Sequence, residues 1–217
     1  TIEAWVKLNT TPDGGKSLIS KHKSDGGSAK SGYVFQYIPS IGIQSVMGTP
    51  SGWKSINGTT WLIDKWHHIA LTYDAGTEIM EMFDNGVSQG TVTVSSPAYN
   101  TKDLRFASSD NYGGHTSCSF DEVRFWDVAK TQAQILANMI DTLSSPESDP
   151  NLIAYYKFDK GSGTVLTDHS SNANDGTLSI WMIPIGLKVL PWSPHLLIPE
   201  HQKHIRALSP TGQPIVG

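Results

Sequence analysis

Acidic, histidine, cysteine and aromatic side chains are the ones that could do chemistry in this chain, and their spacing limits what that chemistry is. Asp121 and Glu122 are adjacent, so in a strand they point to opposite sides. Asp121 can offer a carboxylate to a hard cation such as calcium, with Asp110, Asn111 and the Gly113–Gly114 backbone as further oxygen donors from a loop. The alternative is a carboxylate bonded to a neighbouring loop. Glu78 and Glu81 are three apart with no Asp between them, which in a strand puts them on opposite sides. Two-carboxylate hydrolysis of a glycosidic bond needs both groups on one side, so this pair does not supply it. His67 and His68 are consecutive and cannot easily share one metal. His201 and His204 have helical spacing beside Glu200, but prolines flank them and a third firm ligand is missing. Cys118 could act as a nucleophile only with a placed base such as His115. No His-Glu-x-x-His helix occurs.

The aromatic residues divide by position. Trp5, Trp66 and Trp126 sit in strand-like stretches and are expected in the core. Trp53, Trp61, Tyr99 and Tyr112 lie in or beside turn-rich stretches. Rings exposed there can stack on the apolar faces of sugars while nearby Asn and Asp bond the hydroxyls, or they can pack over a sheet end. Trp53 and Tyr112 are the candidate ligand-binding residues.

The elements that must position these groups are short strands. In Trp66–Asp74, Ile69, Leu71 and Tyr73 alternate with His68, Ala70 and Thr72, the period of a half-buried strand. Ile79–Phe83 follows, then Asp84-Asn85-Gly86, then Thr91–Val94; Asn-Gly between apolar runs is a strong hairpin signal. Thr1–Leu8, Ser17–Ser20, Tyr33–Ile38, Ile41–Val46, Leu104–Ala107 and Ser119–Trp126 read as further strands, the last with Phe120, Glu122, Arg124 and Trp126 on one side. Only 131–143 reads as a helix, with Thr131 as N-cap and Ile135, Met139 and Leu143 at helical spacing. The pattern predicts an all-β fold, a two-sheet antiparallel β-sandwich with one short helix.

Charged residues are 17% of the 217 and the net charge is −4, with no basic block to suggest nucleic acid or an anionic membrane surface. Apolar runs are too short for a membrane-spanning helix. One cysteine cannot make an internal disulfide.

Thr1-Ile2-Glu3-Ala4-Trp5-Val6, Trp66-His67-His68-Ile69-Ala70-Leu71-Thr72-Tyr73 and Phe120-Asp121-Glu122-Val123-Arg124-Phe125-Trp126 follow one another in an order and spacing that resemble the laminin G-like, concanavalin A-like jelly-roll modules. Met82-Phe83-Asp84-Asn85-Gly86 resembles that family's hairpin. The resemblance implies two packed antiparallel sheets in a secreted or cell-surface module that binds glycans or extracellular proteins, often with a structural calcium, here near Asp121. Family members usually carry a strand before the first motif, so the resemblance implies a missing N-terminal strand and an uncovered sheet edge. Laminarinase-type glucanases share the fold, but their two-Glu strand is not matched at Glu78 and Glu81.

The expected organisation is a jelly-roll module over 1–143, a linker over 144–151, a segment over 152–178 resembling the start of a further module, and a Pro-rich apolar tail over 179–217. The tail reads either as a docking segment or as out-of-frame sequence. The functional expectation is a non-catalytic, extracellular or cell-surface binding module of a larger multimodular protein, for carbohydrate recognition or adhesion. The alternatives are a structural or protein-interaction spacer and an accessory domain of a glycoside hydrolase.

Overall fold

The computed structural model describes residues 1–23, 29–109 and 115–178. The strands are β1 (Ile2–Leu8), β2 (Lys16–Lys23), β3 (Ser31–Ile38), β4 (Gly42–Thr49), β5 (Gly52–Asn57), β6 (Trp66–Asp74), β7 (Ile79–Asp84), β8 (Val87–Thr93), β9 (Arg105–Phe106) and β10 (Cys118–Trp126). Helix α1 (Gln132–Asn138) and a 3-10 turn (Pro146–Ser148) lead to β11 (Leu152–Tyr156), β12 (Val165–Leu166) and β13 (Gly176–Thr177). A six-stranded sheet has the order β11-β10-β1-β6-β7-β8 and a five-stranded sheet the order β5-β4-β3-β2-β9, with β12 and β13 as a small separate ribbon. Every strand pair within the two large sheets is antiparallel. Their inner faces meet in one core that includes Val6, Leu18, Phe35, Ile43, Ile69, Met82 and Phe120.

Local chemistry explains the elements. Ile69 and Leu71 of β6 enter the core while His68 faces away from it, as alternation requires. Asn85 and Gly86 take φ of 51° and 73° between β7 and β8, the left-handed pair of a two-residue hairpin turn. The positive φ favours glycine at 86, and a Cβ there would also lie 2.3 Å from Leu136 Cδ2 of α1 and push that side chain aside. Thr131 caps α1 with the reciprocal Gln134 contact. The helix stops at Asn138, shorter than its periodic pattern, and Leu143 packs instead beside Trp126, Leu152 and Tyr155. Ile135 is its buried contact, against Ala70 and Phe83 on the outer face of the six-stranded sheet. No described helix is long and apolar enough to cross a membrane.

Two expectations change. β10 does not alternate simply. Its register against β1 shifts between Glu3 and Trp5, and Glu122 sits at φ 50°, the mark of a β-bulge. Phe120 therefore shares the core face with Val123 and Phe125, while Glu122, Arg124 and Trp126 lie on the other side. The second change concerns the sheet edge expected to be open. β11 pairs with β10 (Val123 with Tyr156, Phe125 with Ala154), and Ala154, Tyr156, Phe158 and Leu166 enter the common core. Segment 152–178, which resembles the opening of a further module, thus completes this sandwich.

The free edge of β11 is itself closed by its own loop. Asp168 is buried and accepts hydrogen bonds from the N–H groups of Tyr155, Ser170 and Asn174 and from the Ser170 hydroxyl, all at 2.8–2.9 Å. Asn172 Nδ2 donates to the carbonyls of Leu152 and Ile153 at 3.1 Å. Side chains of the loop thereby satisfy backbone groups that an edge strand would otherwise present to another chain.

Candidate functional site

Strand alternation and register place a grid of side chains on the outer face of the five-stranded sheet. On β5, Trp53, Ser55 and Asn57 point the same way. Their β4 partners are Gly48, Val46 and Gln44, and Gln44 and Val46 oppose Gln36 and Val34 of β3. Two valines make an apolar floor. On one side of it stands Trp53, half-buried, with the His22 ring edge-on at 5.9 Å. On the other side the amides form a ladder across three strands: Gln36 Nε2 donates to Gln44 Oε1 at 2.5 Å, and Gln44 Nε2 donates to Asn57 Oδ1 at 2.6 Å. His22, Gln36, Gln44, Trp53 and Ser55 with the valines line a groove of about 150 Å³. That is shallow beside the ~300–1,000 Å³ of enclosed small-molecule pockets. A flat ring can lie against Trp53, and the amide donors and acceptors suit hydroxyl groups, which both give and accept hydrogen bonds.

Trp53 was expected in or beside a turn. It stands on a strand, where its ring is aimed by the backbone. Tyr112, with Asp110, Asn111, Gly113 and Gly114, lies outside the described residues, as do His201, His204 and the tail. The other aromatic candidates separate. Trp61 is buried, and its Nε1 donates to Asp84 Oδ2 at 2.8 Å while His67 stacks on it at 4.4 Å. Tyr99 is 84% exposed and borders a second, apolar cleft of about 100 Å³ with Tyr33, Met47 and Tyr73. Of the tryptophans expected in the core, Trp66 is only half-buried, with Lys7 over its ring. Trp126 is buried, but in a satellite cluster on the outer face of the six-stranded sheet.

Asp121 is buried in β10 and accepts the Glu122 N–H at 3.0 Å. Among the described residues no three His, Cys, Asp or Glu side chains come together to hold a metal. Glu78 and Glu81 each accept a serine hydroxyl, from Ser95 and Ser88 respectively. Cys118 is buried with its thiol pushed far up by desolvation, the state of a small core residue.

A second polar group was not foreseen. Glu3, His68, Glu122 and Arg124 are all buried on the outer face of the six-stranded sheet. Arg124 pairs with Glu122 at 2.6 Å and lies 3.7 Å from Glu3. Tyr155 donates to Glu122 at 2.5 Å and Trp126 to Glu3 at 2.9 Å. Arg124 also donates to the carbonyls of Asn138 and Asp141, and Trp5 Nε1 to that of Met139. These are the chain's exit from α1, where a cation meets the negative end of the helix. Burial raises the Glu3 carboxyl against the opposing pull of Arg124. Burial, then Arg124, lowers the His68 imidazole to about 3. The alternating signal was legible at Glu3, Glu122 and Arg124; the covering segment was not.

The fold and the groove define a jelly-roll sandwich with a polar and aromatic sheet face. The model of the concanavalin A-like lectin/glucanases superfamily matches residues 1–136, and the chain belongs to that superfamily. Among solved structures it is similar to a candidate carbohydrate-binding protein of Bacteroides ovatus, with 19% identity and a TM-score of 0.61 over 82% of this chain and 53% of that one. It thus spans about half of that protein. It is also similar to the CBM40 of the Ruminococcus gnavus IT-sialidase bound to α2,3-sialyllactose, with 12% identity and a TM-score of 0.50 over 63% of this chain and 79% of that one. No curated protein matches the sequence.

Proposed function

We propose that this chain is a non-catalytic carbohydrate-binding module that holds its ligand on the outer face of the five-stranded sheet. The observation that carries the reading is Trp53 standing on the same strand face as the Gln36–Gln44–Asn57 ladder. A ring for stacking and a fixed row of amides for hydroxyls together suit a sugar. The two similar structures, one a candidate carbohydrate-binding protein and one bound to sialyllactose, support the class of ligand. An extracellular or cell-surface setting within a larger multimodular protein belongs to the same proposal and rests on the superfamily.

Screening the chain on a broad glycan array tests it. Trp53→Ala should lower affinity for the hits at least about tenfold, the scale of an aromatic hot spot, with the melting temperature little changed. Array hits indifferent to Trp53→Ala would move the site elsewhere. Calcium enters the proposal through Asp121, whose carboxylate suits a hard cation. Chelation should then lower the melting temperature and calcium restore it, by mass action on the folded state. A melting curve indifferent to chelator removes the ion.

A further inference from the structure

The groove's own chemistry says which carbohydrates it takes. Its lining, His22, Gln36, Gln44, Trp53 and Ser55 with Val34 and Val46, contains no Asp, Glu, Lys or Arg. Lys54 neighbours Trp53 in sequence, but alternation turns it to the other side of β5. Register also puts Arg105 of β9 on this face, opposite Ser20, two strands away from Gln36 and ion-paired with Asp103. A carboxylate or sulfate on a ligand in the groove would lose water and meet amides and valines in return, at a cost that an uncharged hydroxyl avoids.

Length is set the same way. Gly48, which pairs with Trp53, and Gln44 are four residues apart on β4, or about 13 Å at ~3.3 Å per residue. The aromatic end and the amide end are thus farther apart than one pyranose ring can reach. The Val34–Val46 floor between them offers contact but no hydrogen bond.

Building on the carbohydrate-binding reading, we propose that the groove selects neutral oligosaccharides of at least two sugar residues. They lie along the strands, one ring on Trp53 and the hydroxyls of a following sugar on the Gln36–Gln44–Asn57 ladder. Titration calorimetry of the full chain tests this. Two panels are used: the mono- to tetrasaccharides of neutral series (glucose, galactose, xylose and mannose polymers), and acidic probes (sialyllactose and oligogalacturonates). In at least one neutral series the affinity should rise about tenfold or more between the monosaccharide and the di- or trisaccharide. Trp53→Ala and Gln44→Ala should each erase that rise, and Trp53→Phe, which keeps a ring and checks the fold, should retain most of it. Tighter binding of the acidic probes, or a monosaccharide as tight as its oligomers, overturns this inference while leaving the carbohydrate-binding reading intact. Silence across both panels and the glycan array defeats that reading itself.

Discussion

The two outer faces of this sandwich are built by the same alternation and end in opposite states. On the six-stranded sheet, Glu3, His68, Glu122, Arg124, Trp126 and Tyr155 are buried beneath α1 and the chain that leaves it. Their polar atoms are spent largely on each other and on helix-end carbonyls. On the five-stranded sheet, Ser55 and Asn57 are exposed and Gln36, Gln44 and Trp53 half-buried, with amides that bond only sideways. Polar residues on a strand face therefore signal binding only where nothing covers them. Under a cover they form an internal network with much larger consequences for stability.

The strongest way to break this contrast is to cut the covered network. Arg124→Ala leaves Glu3 and Glu122 without their cation, and should cost about 3–5 kcal/mol in urea unfolding. A loss within the ~0.5 kcal/mol of ordinary surface substitutions would mean that the face is not sealed. Asp168→Ala comes next. It removes a buried carboxylate that ties the loop to β11, and should cost about 1.5–3 kcal/mol in the unfolding of the whole sandwich. If 152–178 opened an independent module, the main transition would stay where it is.

A third experiment separates the two titratable partners between pH 4.5 and 6.5. His68 is lowered in the folded state, so the unfolded chain takes up its proton first and acid destabilises the fold. Glu3 is raised, so the folded chain keeps a proton that the unfolded chain has lost, and rising pH destabilises the fold. In the wild type the two oppose each other. Glu3→Gln should lose stability as pH falls, by up to about 1.4 kcal/mol per pH unit for one proton, and His68→Gln should lose it as pH rises. Slopes of the same sign in both variants would show that burial is not what shifts them. The smallest stability effect is expected on the open face. Gln44→Ala should change stability by no more than about 0.5 kcal/mol while weakening glycan binding; a large loss of stability would make the ladder structural.

Local chemistry made much of this legible in advance. The Trp66–Asp74 strand, the Asn85–Gly86 hairpin and the Thr131 cap depend on neighbours within a few residues, and each forms where the sequence places it. The bulge at Glu122 was not legible, because an inserted residue leaves no local mark and alternation continues on both sides of it. Trp53 was found as a candidate by residue type, but its aim was not, since turn residues on either side concealed a short strand.

By itself, the sequence determined the alternating apolar period, the hairpins and the superfamily motifs, because backbone sterics and side-chain periodicity act over a few residues. Only the tertiary structure decided which polar face is covered, that Leu152–Tyr156 pairs with β10 across an intervening helix and turn, and that Gln36, Gln44 and Asn57 form one row beside Trp53. These are register choices between segments far apart in the chain. They are settled by which pairing closes the core and satisfies the edges, a free energy that belongs to the whole sandwich and to no single stretch of it.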